Sequence, residues 1–185
     1  LKHRGPDGKG YFRDDNVYFG HRRLSIIDLE LGHQPMTEDS GRFTIIFNGE
    51  IYNYIELRND LISKKYNFNT ESDTEVILKL YMHYGEQCTD KLNGIFSFAI
   101  YDNKEKKIFI SRDHLGVKPL YYSLDNDNFY FCSEIKPILF LTNRTGNISE
   151  KSLSLWLTFR HIPSPYTMFK NIFKLPPGNF LIYQI

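Results

Sequence analysis

Gly94-Ile95-Phe96-Ser97-Phe98-Ala99-Ile100-Tyr101-Asp102 is apolar at nearly every position between its ends, with Ser97 the sole interruption. A strand of that content must be covered on both faces. Working outward, residues 102–107 turn the chain and residues 108–111 return it. Residues 120–123 and 129–132 then form a hairpin around Asp125-Asn126-Asp127-Asn128. Upstream, residues 10–13 and 17–27 read as a hairpin across Asp14-Asp15-Asn16. Residues 42–47 read as a strand ending at Asn48-Gly49, a dipeptide that marks a sharp change of direction.

Two helices fall between these strands. Asn53 and Glu56 form a capping pair ahead of Leu57, Leu61 and Ile62. Ser72-Asp73-Thr74-Glu75 is a capping box, with Ser72 as N-cap and Glu75 reaching back to it. Val76, Ile77, Leu80, Tyr81 and Tyr84 follow on one face, and Gly85 supplies the stop. Asp73 takes the first helical position, where the macrodipole favours its ionised form. Further helices start near Glu134 and at Ser149-Glu150-Lys151-Ser152, the second carrying Leu153, Leu155, Trp156 and Leu157. Beyond Pro163 and Pro165 the chain is extended, and Leu175-Pro176-Pro177-Gly178 introduces a last strand over 179–185. This order predicts an α+β fold, stacked antiparallel sheets with helices outside.

Composition narrows the functional classes. A chain of 185 residues accommodates one domain and at most the start of a second. With 23 Lys+Arg against 22 Asp+Glu, the balance gives no electrostatic case for nucleic acid or a membrane surface as partner. No apolar run approaches the roughly 20 residues of a membrane span, and the opening Leu1-Lys2-His3-Arg4 is not a signal peptide. Two cysteines make neither a disulfide framework nor a zinc spacing, which fits a reducing cytoplasm. His21, His83, His114 and the other three histidines show no metal spacing, so no metal site is expected and all six read as non-catalytic. The 15 Phe and 13 Tyr sit in apolar runs and read as packing.

One set of residues suits the recognition of a free amino acid. Arg23 at a strand end can grip a carboxylate bidentately, and acidic groups such as Glu50 and Asp73 can receive an ammonium. The Asn48 side chain and the Gly49 backbone N–H are donors of the kind an oxyanion hole needs. Each signal alone is also compatible with plain scaffold: a paired arginine, a hairpin turn, a helix-start aspartate.

Taken in order along the chain, longer motifs go further. His3-Arg4-Gly5-Pro6-Asp7-Gly8, Arg23-Leu24-Ser25-Ile26-Ile27-Asp28, Phe47-Asn48-Gly49-Glu50-Ile51-Tyr52-Asn53 and Ser72-Asp73-Thr74-Glu75-Val76-Ile77 are followed by residues 92–102. Then come Arg112-Asp113-His114-Leu115-Gly116-Val117-Lys118-Pro119-Leu120-Tyr121-Tyr122, Ser133-Glu134-Ile135-Lys136 and Leu175-Pro176-Pro177-Gly178. Together they resemble the glutaminase domain of glutamine-hydrolysing asparagine synthetases over essentially the whole chain. The resemblance implies an N-terminal-nucleophile fold, a four-layer αββα sandwich of two antiparallel sheets, here lacking its first strand. It implies a partial type-2 glutamine amidotransferase domain over residues 1–160, with residues 161–185 ending it and approaching a missing synthetase domain.

The same resemblance assigns roles. It implies that Arg23 grips the glutamine α-carboxylate, that Glu50 and Asp73 line the glutamine site with Asp73 on the α-ammonium, and that Ile26 and Ile27 frame the site with their backbone. Asn48 and Gly49 match the oxyanion-hole donors. The family's nucleophile, an N-terminal cysteine, has no counterpart here: residue 1 is Leu, and Cys88 and Cys132 both read as packing. The expectation is an internal fragment, inactive by itself. No cofactor is expected in this segment, since no Ser-Gly-Gly-x-Asp-Ser run is present. ATP and Mg2+ are expected in the missing synthetase domain, and a homodimer is compatible with the resemblance. Arg112-Asp113 reads as a structural ion pair, with contact to the synthetase domain the sharper reading. The alternatives are a related amidotransferase acting on another carboxylate such as a sugar acid, a non-catalytic binding remnant, and an amidotransferase with a sugar-phosphate or phosphoribosyl acceptor. The 161–178 tail counts against the last of these.

Overall fold

The computed structural model describes every residue of 1–185 except Ser25, Ile26, Leu29, Asn126 and Thr145. In chain order its elements are β1 (Gly8–Asp14), β2 (Val17–Arg23), β3 (Met36–Thr37), β4 (Phe43–Ile51), α1 (Tyr54–Ser63), α2 (Asp73–Tyr84), β5 (Gly94–Asp102) and β6 (Lys107–Arg112). Then follow β7 (Tyr121–Asp125), β8 (Asn128–Cys132), α3 (Ile135–Leu141), α4 (Glu150–Phe159), β9 (Phe173–Lys174) and β10 (Phe180–Gln184). They form two compact units, Leu1–Ser111 with Leu181–Ile185, and Arg112–Phe180.

The first unit is built on a five-stranded sheet of order β10-β6-β5-β4-β3, with β5 in the middle. The central strand is covered as its composition demands. Phe96, Phe98 and Ile100 pack with Phe43, Ile45, Phe47 and Ile51 of β4 and with Val76, Ile77 and Leu80 of α2. On the opposite face Tyr101 meets Phe12 of β1, ring centroids 6.1 Å apart, and its hydroxyl donates to Asp14 Oδ2 at 2.6 Å. The β1–β2 hairpin thus covers one face and the helices cover the other. In that hairpin Asp14 pairs with Val17, leaving a two-residue turn at Asp15-Asn16.

Several local expectations change. β4 does not stop at Asn48-Gly49 but runs to Ile51, with Asn48 opposite Ser97, Gly49 opposite Phe96 and Glu50 opposite Ile95. Glycine is required at 49 by proximity rather than by a turn: a Cβ there would lie 2.1 Å from the Ile95 carbonyl oxygen. β2 ends at Arg23 rather than 27, because the Ile27 and Asp28 carbonyls are turned back onto the Arg23 side chain.

The helix starts also differ from expectation. Asn53 does not cap α1; its Nδ2 donates to the Lys91 carbonyl at 2.9 Å and its Oδ1 accepts from Asn93 N at 3.0 Å. Ser72 does cap α2, accepting from Thr74 N at 3.0 Å. Glu75, however, does not reach back to Ser72. Its carboxylate accepts from Asn69 N, Thr70 N and the Thr70 hydroxyl, because the preceding loop folds over the helix start and offers those donors. α2 is buried from Asp73 through Tyr81, beyond a single apolar face, and Gly85 ends it with φ 58° as expected.

In the second unit β7 pairs with β8 and with β9, and Ile138, Leu139 and Ile172 form a small core. Arg112 sends Nε to the Lys118 carbonyl, Nη1 to Leu175 and Nη2 to Gly116, at 2.7, 2.6 and 2.6 Å. Asp113 accepts from the backbone of Leu115, Val117 and Lys118. The pair is scaffold, acting on the backbone of a tight loop.

The contact between Tyr101 and Asp14 is one test of how the hairpin is held. Removing one buried donor to a carboxylate costs about 1–2 kcal/mol, so Tyr101→Phe should lower the urea midpoint of the protein by a corresponding amount.

Candidate functional site

β4 is the spine of the site. Phe47 and Ile51 point into the helical core, so strand alternation sets Asn48 and Glu50 on the face that the β1–β2 hairpin covers. Along β2, Val17, Phe19 and Arg23 are buried whereas Tyr18 and Gly20 are exposed. His21 and Arg23 therefore belong to the inner face. His21 Nε2 lies 3.0 Å from the Phe47 carbonyl oxygen. A carbonyl only accepts, so Nε2 carries the hydrogen. Burial, and secondarily the nearby Arg23 charge, hold the ring below its ordinary pKa and keep it neutral. β2 is in this way fastened to β4 one residue before Asn48.

The Arg23 guanidinium is buried, with Nη2 donating to the Ile27 carbonyl at 3.1 Å and to the Asp28 carbonyl at 2.5 Å. The loop beyond lies tightly over it: a Cβ at Gly32 would come 2.4 Å from Arg23 Nη2. The Ile27 carbonyl is thus held against the Arg23 guanidinium. Ile26 lies outside the described residues.

Asp73 is buried at the start of α2, and its Oδ2 accepts from Ile51 N, the last residue of β4, at 3.1 Å. Desolvation, reinforced by the charge of Glu50, pushes its carboxyl up to about 6, against backbone donors from Ile51 and Thr74 that pull it down. Burial therefore outweighs the helix-start preference for the ionised form. Glu50 and Asp73 are electrostatic neighbours. Among the described residues no hydrogen bond engages the side chain of Asn48 or of Glu50.

Two further residues tie the parts together. Asp28 Oδ2 accepts from Glu71 N at 2.9 Å, two residues ahead of Asp73. Gln34 accepts from Phe47 N at 2.6 Å and donates to Thr74 Oγ1 at 3.2 Å. Asn48, Gly49 and Glu50 thus stand on β4 and Asp73 is bonded to its end, while Arg23 and Ile27 lie at and beyond the end of β2, the strand that His21 fastens to β4. The sequence reading missed His21, Asp28 and Gln34. Only His21 had a signal, its two-residue spacing from Arg23 on one strand face; the others depend on how residues 27–34 fold.

Other candidates fall away. Cys88 is fully buried and its thiol is pushed up to about 12 by desolvation. Burial also raises the thiol of Cys132. Neither is poised as a thiolate. A cleft of about 430 Å³ beside Arg42, Tyr66, Tyr81 and Lys107 contains none of the site residues, and Arg42 there is already bound bidentately by Asp102 at 2.9 and 2.7 Å. No group of three or more His, Cys, Asp or Glu among the described residues could hold a metal ion, and no described helix is long and apolar enough to cross a membrane.

This α+β fold of antiparallel sheets recurs in solved structures. The glutamine phosphoribosylpyrophosphate amidotransferase of B. subtilis, complexed with ADP and GMP, shares it with a TM-score of 0.59 at 20% identity, over 88% of this chain and 32% of that one. A structure described as the allosteric regulatory enzyme of purine biosynthesis matches with a TM-score of 0.61 at 21% identity, over the same shares.

The chain belongs to the glutamine amidotransferase domain family, whose model matches residues 1–185. It is 48% identical over 179 residues to asparagine synthetase [glutamine-hydrolyzing] 1 of Bacillus subtilis (strain 168), covering 97% of this chain and 28% of that protein. It is 43% identical to the putative asparagine synthetase [glutamine-hydrolyzing] 2 of Methanocaldococcus jannaschii, covering 100% of this chain and 39% of that one. Asparagine synthetase B of Escherichia coli (strain K12) is 42% identical over 140 residues, 75% of this chain and 25% of its own length. The chain spans between a quarter and two-fifths of these relatives.

The raised carboxyl of Asp73 makes a stability prediction. Its folded pKa of about 6 exceeds the ordinary 3.8, so its contribution is most favourable at low pH and is lost as pH rises through about 6. Above that pH the buried charge costs about 3 kcal/mol. Asp73→Asn, whose carbonyl can still accept from Ile51 N, should therefore be more stable than the parent at pH 7.5 and should converge with it below about pH 4. Urea melts at the two pH values check this.

Proposed function

We propose that this chain is the glutaminase part of an ATP-dependent asparagine synthetase, converting glutamine to glutamate and releasing ammonia to a synthetase domain in the rest of the protein. The observation that carries the reading is that, in a chain matched end to end by a glutamine amidotransferase domain, Asp73 at the start of α2 is bonded to the end of β4 and lies electrostatically beside Glu50, next to Asn48 and Gly49 on that strand, while β2, which ends at Arg23, is fastened to β4 through His21. Arg23 would hold the α-carboxylate, with Asp73 and Glu50 receiving the α-ammonium. The cation would also draw Asp73 into its ionised form, offsetting the desolvation. The backbone of Ile26 and Ile27 would border the substrate.

In the reaction a thiolate attacks the side-chain amide carbon, forming a C–S bond, and the carbonyl oxygen becomes an oxyanion held by Asn48 Nδ2 and the Gly49 N–H. The C–N bond then breaks with proton transfer to nitrogen, ammonia departs, and water hydrolyses the thioester to glutamate. Cys88 and Cys132 are unsuited to the attack, so the thiolate is assigned to a cysteine outside these 185 residues. ATP and Mg2+ would be bound by the synthetase domain, where aspartate is amidated. The identities with asparagine synthetases favour aspartate over a sugar acid as acceptor, and the assembled amino-acid grip favours an enzyme over a binding remnant. Two free thiols fit the reducing cytoplasm proposed as its setting.

Loss of one oxyanion donor costs about 10²–10³ in rate. In the full-length protein, Asn48→Ala should lower glutamine hydrolysis by that factor while leaving ammonia-dependent asparagine synthesis close to the parent's. An equal fall in both activities would remove Asn48 from the oxyanion hole.

A further inference from the structure

We infer that Asp28 is a positioning residue for glutamine, a strut that fixes the Arg23 guanidinium relative to the start of α2 and thereby sets the span between the two ends of the bound amino acid. The inference rests on the glutaminase reading above and extends it to a residue outside the expected site.

Asp28 works in two directions. Its backbone carbonyl accepts from Arg23 Nη2 and, at 3.1 Å, from Gly32 N. Its side chain accepts from Leu31 N through Oδ1 and from Glu71 N through Oδ2, both at 2.9 Å. One residue thus joins the guanidinium to the segment Glu71-Ser72-Asp73 that delivers the carboxylate. Those two backbone donors hold the Asp28 carboxyl below its ordinary range, so it is ionised and the bonds are charge-assisted. The Asp28 backbone is left-handed, φ 49°, a conformation that Asp and Asn tolerate better than most residues. That geometry turns the carbonyl toward Arg23 while the side chain reaches Glu71, just ahead of α2.

A free α-amino acid offers only a short separation between carboxylate and ammonium, so the guanidinium and Asp73 must be held at a matching distance. Arg23 is on a strand, Asp73 on a helix, and Asp28 bridges them across a loop. Removing one charge-assisted hydrogen bond from the strut should weaken the grip on the substrate by about tenfold. The reacting amide lies at the other end of glutamine, against Asn48 and Gly49, and its turnover should change little.

The test is steady-state glutamine hydrolysis by the full-length protein, comparing the parent with Asp28→Asn and Asp28→Gly. Both replacements tolerate the left-handed backbone; asparagine loses one acceptor and the charge, glycine loses both acceptors. The expected result is a KM for glutamine raised about tenfold in Asp28→Asn and more in Asp28→Gly. The kcat should stay within about threefold, and ammonia-dependent synthesis should be unchanged. In an Arg23→Ala background the Asp28→Asn effect on KM should largely vanish, since the strut acts through the guanidinium. An unchanged KM, a lowered Tm without a KM effect, or full additivity with Arg23→Ala would overturn the inference. A parent protein that releases no glutamate from glutamine would instead overturn the glutaminase reading, and the strut with it.

Discussion

The hydrogen bond from Ile51 N to the buried Asp73 carboxylate is the contact on which the arrangement turns. It joins the end of a central strand to the beginning of a buried helix, and it places an acidic group in a poor dielectric beside a second one, Glu50. Without a cation the position is unfavourable to the folded protein at neutral pH; the ammonium proposed to sit there would turn it into a binding contact. The helix behind it is packed on all sides from Asp73 to Tyr81, so the carboxylate has little freedom to retreat into solvent. Strain of this electrostatic kind is characteristic of sites rather than scaffolds.

Around that contact the protein uses backbone groups as much as side chains. His21 bonds the Phe47 carbonyl, Gln34 the Phe47 N–H, Asp28 the Glu71 N–H, and Glu75 the N–H groups of Asn69 and Thr70. These bonds fix segments of chain. The groups proposed to meet glutamine stand on the fixed segments, and a rigid frame of this sort limits the entropy lost on binding.

Much of the layering was legible in the sequence. The two-faced apolar run at residues 94–102 required cover on both sides, and the structure covers it with helices and a hairpin. Ser72 and Gly85 marked the ends of α2 correctly, because capping chemistry is local. Apart from the early end of β2, where the Ile27 and Asp28 carbonyls turn back onto Arg23, the failures were places where a distant segment competed for a local donor or acceptor. Glu75 was drawn away from Ser72 by the N–H groups at 69 and 70, Asn53 by the chain at 91 and 93, and Asn48-Gly49 from a turn into a strand by the waiting edge of β5. For the site, residue types and motif resemblance pointed to Arg23, Glu50 and Asp73, but the raised carboxyl of Asp73 was not legible. A helix-start aspartate in a sequence looks solvated until packing removes the water.

The close approach of β4 and β5 carries a consequence for how this domain can diversify. A side chain at Gly49 would strike the Ile95 carbonyl, and one at Gly94 would come 2.3 Å from the Glu50 carbonyl. The two glycines interlock from opposite strands, so neither can be exchanged for a larger residue without prying the sheet apart. New substrate preferences on this framework would have to arise at 50, a neighbour that faces away from the seam, or in the loop laid over Arg23. Engineering libraries on this framework would do best to leave 49 and 94 fixed.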